Sequence, residues 1–302
     1  MSRVMVTGAP GFVGAAAVRA LLDQGDEVIA VVQPGTSDVR LAGLQVNSIS
    51  LNLDDRPAVA HALADAKPEV ILHAAWYANP TGYLSSAHGL SSLRATTDLM
   101  RAALQAGCQR FVGVGTCLEY ARAGRPLSEH DPCEPRSLYA SCKLSAWLLC
   151  RALAAQIGAS VAWTRLFYLY GPNENPGRLL PALVTALRAG QPFPMTAGQQ
   201  MRDYLHIDDA GRALALLCRN PAQGVVNVAS GQPTRLQDFA TAVASQLGAR
   251  PLLRFGALPM RADEDMFVVA DVTRLRGLGF SPRYATLADG LGHALKNWTT
   301  PV

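Results

Sequence analysis

Residues 3–25 read RVMVTGAPGFVGAAAVRALLDQG, and their order of properties predicts a strand, a glycine turn and a helix. Residues 3 to 7 are a short apolar run. Gly8, Gly11 and Gly14 follow at three-residue spacing, then an alanine-rich segment ends at Gly25. Glycines allow the backbone to turn sharply and to approach a pyrophosphate, whose charge is stabilised by the free N–H groups of a helix N-terminus. Gly8, Gly11, Phe12, Val13 and Gly14 are therefore expected at a dinucleotide. The spacing G-x-x-G-x-x-G is one residue longer than the commonest fingerprint, and an ordinary strand-to-helix turn is the plainer reading of glycines alone.

Outward from this turn the pattern repeats. A second strand, Glu27 to Val32, runs into Gln33-Pro34-Gly35-Thr36-Ser37-Asp38-Val39-Arg40. An acid at the strand end would take a ribose 2′-hydroxyl and mark NAD, whereas hydroxyls and a cation suit the 2′-phosphate of NADP. Gln33 is neither. Ser37 and Arg40 favour NADP(H), with NAD(H) the alternative through Asp38. A strand over 46–51, a helix from about Arg56 to Ala66 and the strand VILH lead to His73-Ala74-Ala75, where small side chains leave room for a cofactor across the sheet. Trp76, Tyr77 and Tyr83 follow in a polar loop. A helix is predicted over 91–106, then a strand from Arg110 that delivers Thr116.

Residues 137–149, SLYASCKLSAWLL, set Tyr139 four residues before Lys143. On a helix, i and i+4 share one face. A cation near a phenol favours the phenolate, so Lys143 is expected to lower the Tyr139 pKa towards general acid–base work. An exposed amphipathic turn has the same spacing.

These residues carry a resemblance. TGAPGFVG (7–14), HAA (73–75), Thr116 in GTCLEY (115–120), the Tyr139/Lys143 pair, RLFYLYGP (165–172), GQQMRDYLHIDDA (198–210) and VVNVASG (225–231) resemble the extended short-chain dehydrogenase/reductases, in the group of nucleotide-sugar epimerases, dehydratases and ketoreductases. The likeness spans nearly the whole chain. It implies an α/β fold: a Rossmann-like, doubly wound parallel sheet (residues 1–170) with a smaller C-terminal lobe for the nucleotide sugar (residues 171–302), some segments of which return to the first domain. It also implies Thr116, Tyr139 and Lys143 as the catalytic set. Asn52, Leu53, His73, Ala74, Ala75, Tyr139 and Lys143 would join the glycine turn at the cofactor. Trp76, Thr116, Tyr168, Arg178, Arg202 and Arg261 would meet the sugar nucleotide, the last two arginines on its diphosphate. Guanidinium suits that role because it is permanently charged and bidentate. The alternatives are ion pairs of Arg202 with Asp203, and of Arg261 with Asp263 or Glu264.

Departures narrow the chemistry. Family dehydratases place an Asp-Glu pair directly after the hydroxyl residue, where this chain has Cys117 and Leu118. Family C3/C5 epimerisation uses a cysteine two places after it, and that place is Leu118. A reaction needing one hydride and one proton remains: a 4-ketoreductase acting on an NDP-4-keto-6-deoxyhexose, favoured by the lean towards NADPH, with an NAD-dependent 4-epimerase as the alternative. A cofactor-sensing protein without chemistry is a third class, and such proteins commonly lose the tyrosine or lysine. Asn52, Tyr168 and Ser92 also depart from the residues the family commonly has there.

Bulk composition sets the remaining bounds. The 302 residues are 49% hydrophobic and 17% charged, with a net charge of +4 and no apolar run reaching the roughly 20 residues of a membrane helix. Scattered cations argue against nucleic acid, and separated arginines suit an anionic small molecule. Six cysteines without a C-x-x-C pair are expected as reduced thiols, with no metal site, in a cytoplasmic protein without a leader peptide. Helices over 91–106 and 139–157 resemble the family's dimer pair, so a homodimer is expected.

Overall fold

The computed structural model describes residues 1–298. In the first half, strands β1 (Arg3–Thr7), β2 (Glu27–Val32), β3 (Asn47–Ser50), β4 (Val70–His73), β5 (Arg110–Thr116) and β6 (Ser160–Leu166) alternate with helices α1 (Phe12–Asp23), α2 (Arg56–Ala66), α3 (His88–Gln105) and α4 (Leu138–Ile157). All but the polar, largely exposed edge strand β3 are mostly apolar runs buried on both faces, as in a sheet covered by helices on both sides. The second half contributes β7 (Tyr168–Tyr170), α5 (Leu179–Arg188), β8 (Phe193–Pro194), β9 (Met201–His206), α6 (Ile207–Arg219), β10 (Gly224–Val228), β11 (Pro233–Arg235) and α7 (Leu236–Gln246). The short β12 (Leu253–Arg254) and β13 (Phe267–Val268) follow, then α8 (Thr273–Gly277) and α9 (Leu287–Lys296).

Seven strands form one parallel sheet in the order β10-β6-β5-β4-β1-β2-β3. The chain reverses direction across the sheet between β1 and β4, and ligands of doubly wound folds bind at the carboxyl ends beside such a point. On one face α1 packs against α6, at a distance set by small residues: a Cβ on Gly211 would come within 2.4 Å of the Ala16 carbonyl oxygen. On the other face α3 and α4 cover Met5, Ile71, Phe111 and Trp163. Trp163 lies across Gly113 and Gly115, where any side chain would collide with the indole at 2.3 Å or less.

A second core of Leu180, Leu183, Val184, Leu187, Phe239, Val243 and Leu291 joins α5, α7 and α9. Strands β7, β9, β11 and β13 form a smaller sheet beside it. The helix predicted from 91 begins three residues earlier, at His88, and the strand predicted over 46–51 is the shorter β3. Trp147 packs inward, 5% exposed and 6.2 Å from Trp163. No helix among the described residues is long and apolar enough to cross a membrane.

Candidate active site

The glycine turn between β1 and α1 is closed by contacts that only glycine permits. Gly8 has φ +65°, and a Cβ there would meet the Ala75 nitrogen at 2.6 Å. One on Gly14 would meet the Gly8 carbonyl oxygen at 2.0 Å. The small Ala74-Ala75 pair at the end of β4 is thus what lets the turn approach the sheet. Beside it lies a cavity of about 410 Å³, lined by Gly8, Gly11, Asn52, Leu53, His73, Ala74, Ala75 and Trp76 among the residues expected there. Gln33, Thr36 and Asp54 line it as well. Phe12 and Val13 instead pack half-buried against the core.

Ser37 is exposed and lies outside that lining. Arg40 faces the glycine turn: its Nη1 donates to the Pro10 carbonyl at 3.3 Å and its Nε to the Asn173 carbonyl at 3.1 Å. The side chain ties the loop after β7 to the turn before α1. Its guanidinium is therefore engaged by two carbonyls, which differs from the cation open to a 2′-phosphate expected at residue 40.

His73 is buried between two threonines. Thr96 spends its hydroxyl proton on the Ser92 carbonyl at 2.8 Å and accepts from His73 Nε2 at 2.8 Å, so Thr7 donates to Nδ1 at 2.7 Å. Burial pushes its pKa down to about 3. The ring is a neutral strut between β1 and α3.

Helix α4 begins at Ser137, whose hydroxyl accepts from the Ala140 N–H, and this cap fixes where Tyr139 and Lys143 emerge. Tyr139 is flanked edge-on by Tyr83 (ring centroids 4.8 Å apart) and Trp76 (6.3 Å). Lys143 is 3% exposed and donates to the Val114 carbonyl at 2.5 Å. It sits 3.9 Å from the centroid of Trp76 but 5.9 Å from that of Tyr139. The expectation that Lys143 lowers the phenol pKa is corrected here. Burial raises the Tyr139 pKa, Tyr83, Glu119 and Cys117 push in the same direction, and the opposing cation is Arg178. Burial likewise brings Lys143 down to about 7, against the pull of Glu119. The enclosing loop after β4 takes both groups out of water, and desolvation disfavours whichever form is charged.

Thr116 ends β5 and caps the turn Cys117–Glu119. Its hydroxyl oxygen accepts from the Leu118 N–H at 3.3 Å while Glu119 Oε1 accepts from its own N–H at 2.9 Å. Glu119 is fully buried and also takes Trp163 Nε1 at 3.0 Å and Arg165 Nε at 2.7 Å. The sequence reading overlooked Glu119, although the Thr-x-x-Glu spacing of a capping box announces it. The Cys117 thiol is buried and held protonated, its pKa pushed up to about 12 by burial.

The second lobe supplies a different set. Tyr168 on β7 lies 5.2 Å below the Arg202 guanidinium. Arg202 pairs with Glu264 at 2.5 Å and donates to the Asp265 carbonyl at 2.6 Å. Asp203, the ion-pair partner considered above, is occupied by Ser230, Gly231 and Ala270. Arg261 is exposed at the start of that acidic segment, and Asp265 also pairs with Arg122 and Arg136. Arg178 stacks over Tyr83 at 5.1 Å and so belongs with the Tyr139 cluster.

Glu174, which no sequence pattern singled out, is 8% exposed, and its Oε2 has no hydrogen-bond partner among the described residues. Burial raises its pKa to about 8, with Arg178 opposing. Folding also brings His293 beside His206 and Asp208, 87 residues from His206 in the sequence. The Nδ1 of His206 accepts from the Asp208 N–H at 3.1 Å, which leaves its proton on Nε2, 3.4 Å from His293. That tautomer presents no lone pair inward for a metal.

Residues 4–229 match the model of the NAD dependent epimerase/dehydratase family. The chain is 27% identical to a probable UDP-glucuronate 4-epimerase of Rhizobium meliloti, over 93% of this chain and 92% of that protein. Among solved structures it resembles DesIV, a dTDP-glucose 4,6-dehydratase from Streptomyces venezuelae with NAD bound (27% identity, TM-score 0.87, 97% and 96% of the two chains). It also resembles MoeE5 in complex with UDP-glucuronic acid and NAD (30% identity, TM-score 0.83, 97% and 98%).

Proposed function

The chain belongs to the NAD dependent epimerase/dehydratase family, and on that premise we propose that it inverts C4 of a nucleotide sugar. The observation that carries this reading is the absence of a free carboxylate after Thr116. Cys117 and Leu118 stand there, and the nearest acid, Glu119, is saturated by Arg165, Trp163 and the Thr116 N–H. Loss of water across a sugar needs a second acid–base pair. C4 chemistry needs one proton carrier.

The glycine cradle and the Ala74-Ala75 floor fit a dinucleotide, because a Cβ at Gly8 or Gly14 would fill the space. When bound, NAD supplies the acceptor and donor of the hydride at C4. Tyr139 takes and returns the proton of the C4 oxygen. In the free protein its phenol is held protonated, the form that donates to a carbonyl oxygen, and Arg178 is the cation that favours the phenolate for the reverse step. Thr116 accepts from Leu118, so its own O–H remains to donate to the sugar oxygen. Arg202 and Arg261 would take the diphosphate, Arg202 exchanging Glu264 for phosphate.

NAD rather than NADP is favoured because Arg40 is engaged at Pro10 and Asn173. The same tie holds the loop after β7 against the glycine turn, which suits a cofactor that stays bound through both hydride transfers. The relatives bound to NAD agree with this. Gln33, which replaces the acid at the end of β2, favours a second reading: an NADPH-dependent 4-ketoreductase of an NDP-4-keto-6-deoxyhexose. The division into a cofactor domain through residue 170 and a sugar-nucleotide lobe beyond it is part of the proposal. So is a homodimer, supported by exposed Leu90 on α3 and Leu148, Leu149 and Ile157 on α4.

The test begins by releasing and identifying any nucleotide carried by the purified protein, then offering UDP-glucuronic acid and UDP-glucose. Interconversion of C4 epimers without net cofactor consumption is expected. Stoichiometric oxidation of NADPH with an NDP-4-keto-6-deoxy sugar would move the assignment to the reductase.

A further inference from the structure

The pairing of Lys143 with Trp76 goes beyond what C4 chemistry requires of either residue. Lys143 is almost fully buried and gives one hydrogen bond, to the Val114 carbonyl. An ammonium has three donors. The face of Trp76, 3.9 Å from Nζ to ring centroid, covers another side of the charge at a distance well inside the range of cation–π attraction. The titratable groups around Lys143 do not replace it. Tyr139, one turn earlier on α4, is a neutral phenol. His73 at the end of β4 is neutral and fixed by Thr7 and Thr96. Glu119, in the turn after β5, raises the Lys143 pKa but is itself paired with Arg165.

Trp76 is also not held by its polar edge, because its Nε1 is buried without a partner among the described residues. The ring packs against the core under α3 and α4, with its face on Lys143 and its plane perpendicular to that of Tyr139. A polar edge left unpaired while the face meets a cation marks the face as the functional contact.

We propose that Trp76 is a positioning residue whose π face keeps the Lys143 ammonium charged and aligned beside Tyr139 in place of the water that burial removes. The consequence for the reaction rests on the C4 reading above, but the contact can be tested in the free protein.

The chain has three lysines, Lys67, Lys143 and Lys296, of which the first and last are exposed. Lysine labelled with carbon-13 at Cε therefore gives three signals in a pH titration, and Lys143→Arg identifies the one that belongs to Lys143. Trp76→Leu keeps an apolar cover and removes the quadrupole, and it should lower the Lys143 midpoint by roughly one pH unit. Trp76→Phe keeps an aromatic face and should restore most of that shift, which simple loss of packing would not. An unchanged or raised midpoint in Trp76→Leu, or equal shifts in the leucine and phenylalanine variants, would overturn the proposal. No sugar is present in this titration. A protein that shows the shift yet fails to epimerise any nucleotide sugar would remove the C4 reading and leave the role of Trp76 standing.

Discussion

The Tyr139–Lys143 patch and the Arg202–Glu264 patch handle charge in opposite ways. Around Tyr139 the cations face aromatic rings: Lys143 over Trp76 and Arg178 over Tyr83. The nearest carboxylates are spent or buried, and desolvation is the largest influence on both Tyr139 and Lys143. Around Arg202 the charges meet carboxylates, with Glu264 on Arg202 and Asp265 on Arg122 and Arg136. That acidic segment is partly open to solvent. The first arrangement sets protonation states and holds them. In the second, Arg202 is itself buried and its charge is met by the half-buried Glu264, so the guanidinium needs an anionic partner, a place that a diphosphate is proposed to take.

The largest expected effect breaks the first region alone. Tyr139→Phe should lower turnover by about 10²- to 10⁴-fold, the usual worth of a positioned proton carrier, while NAD affinity by calorimetry stays near wild type. Equal losses in turnover and NAD binding would mean that the phenol holds the cofactor instead.

A smaller effect separates the second region from the first. Arg202→Ala should weaken UDP binding by roughly 10- to 100-fold, the worth of a charged hydrogen bond. Glu264→Gln should leave it unchanged or tighten it a few-fold, because the competing carboxylate charge is gone. Calorimetric titration with UDP at two salt concentrations checks both, and weaker binding in Glu264→Gln would show that the acid contacts the ligand itself.

The smallest effect sharpens the link between local structure and the site. Ser137 caps α4, so Ser137→Ala should cost about 1 kcal/mol and lower the melting temperature by a few degrees at most. The hydride-transfer pH profile should keep its shape, because the cap places Tyr139 without touching its charge.

Much of the fold was legible from residue order. Glycine spacing after an apolar run, and the alternation of strands with helical segments, predict the order of elements, because those patterns follow from local backbone geometry, and the resemblance that the motifs carry implies the doubly wound sheet. Individual roles were less legible. Ser37 and Arg40 look alike in a polar loop, yet one is exposed and the other reaches carbonyls at Pro10 and Asn173, 30 and 133 residues away in the chain. Glu119 was missed although its capping spacing was present. Glu174 gave no signal, because a buried carboxyl has no sequence pattern.

By itself the sequence determined where the turn, the strands and the Tyr139/Lys143 helix lie, since glycine freedom and side-chain periodicity act over a few residues. Tertiary structure alone decided how the charges behave. Tyr139 and Lys143 are four residues apart, and their spacing promised a phenol activated by its neighbour. The loop from Trp76 to Tyr83 closes over both, turns the ammonium towards an indole face and raises the phenol pKa. Desolvation depends on what the rest of the chain brings within a few ångströms, and local spacing carries no record of it.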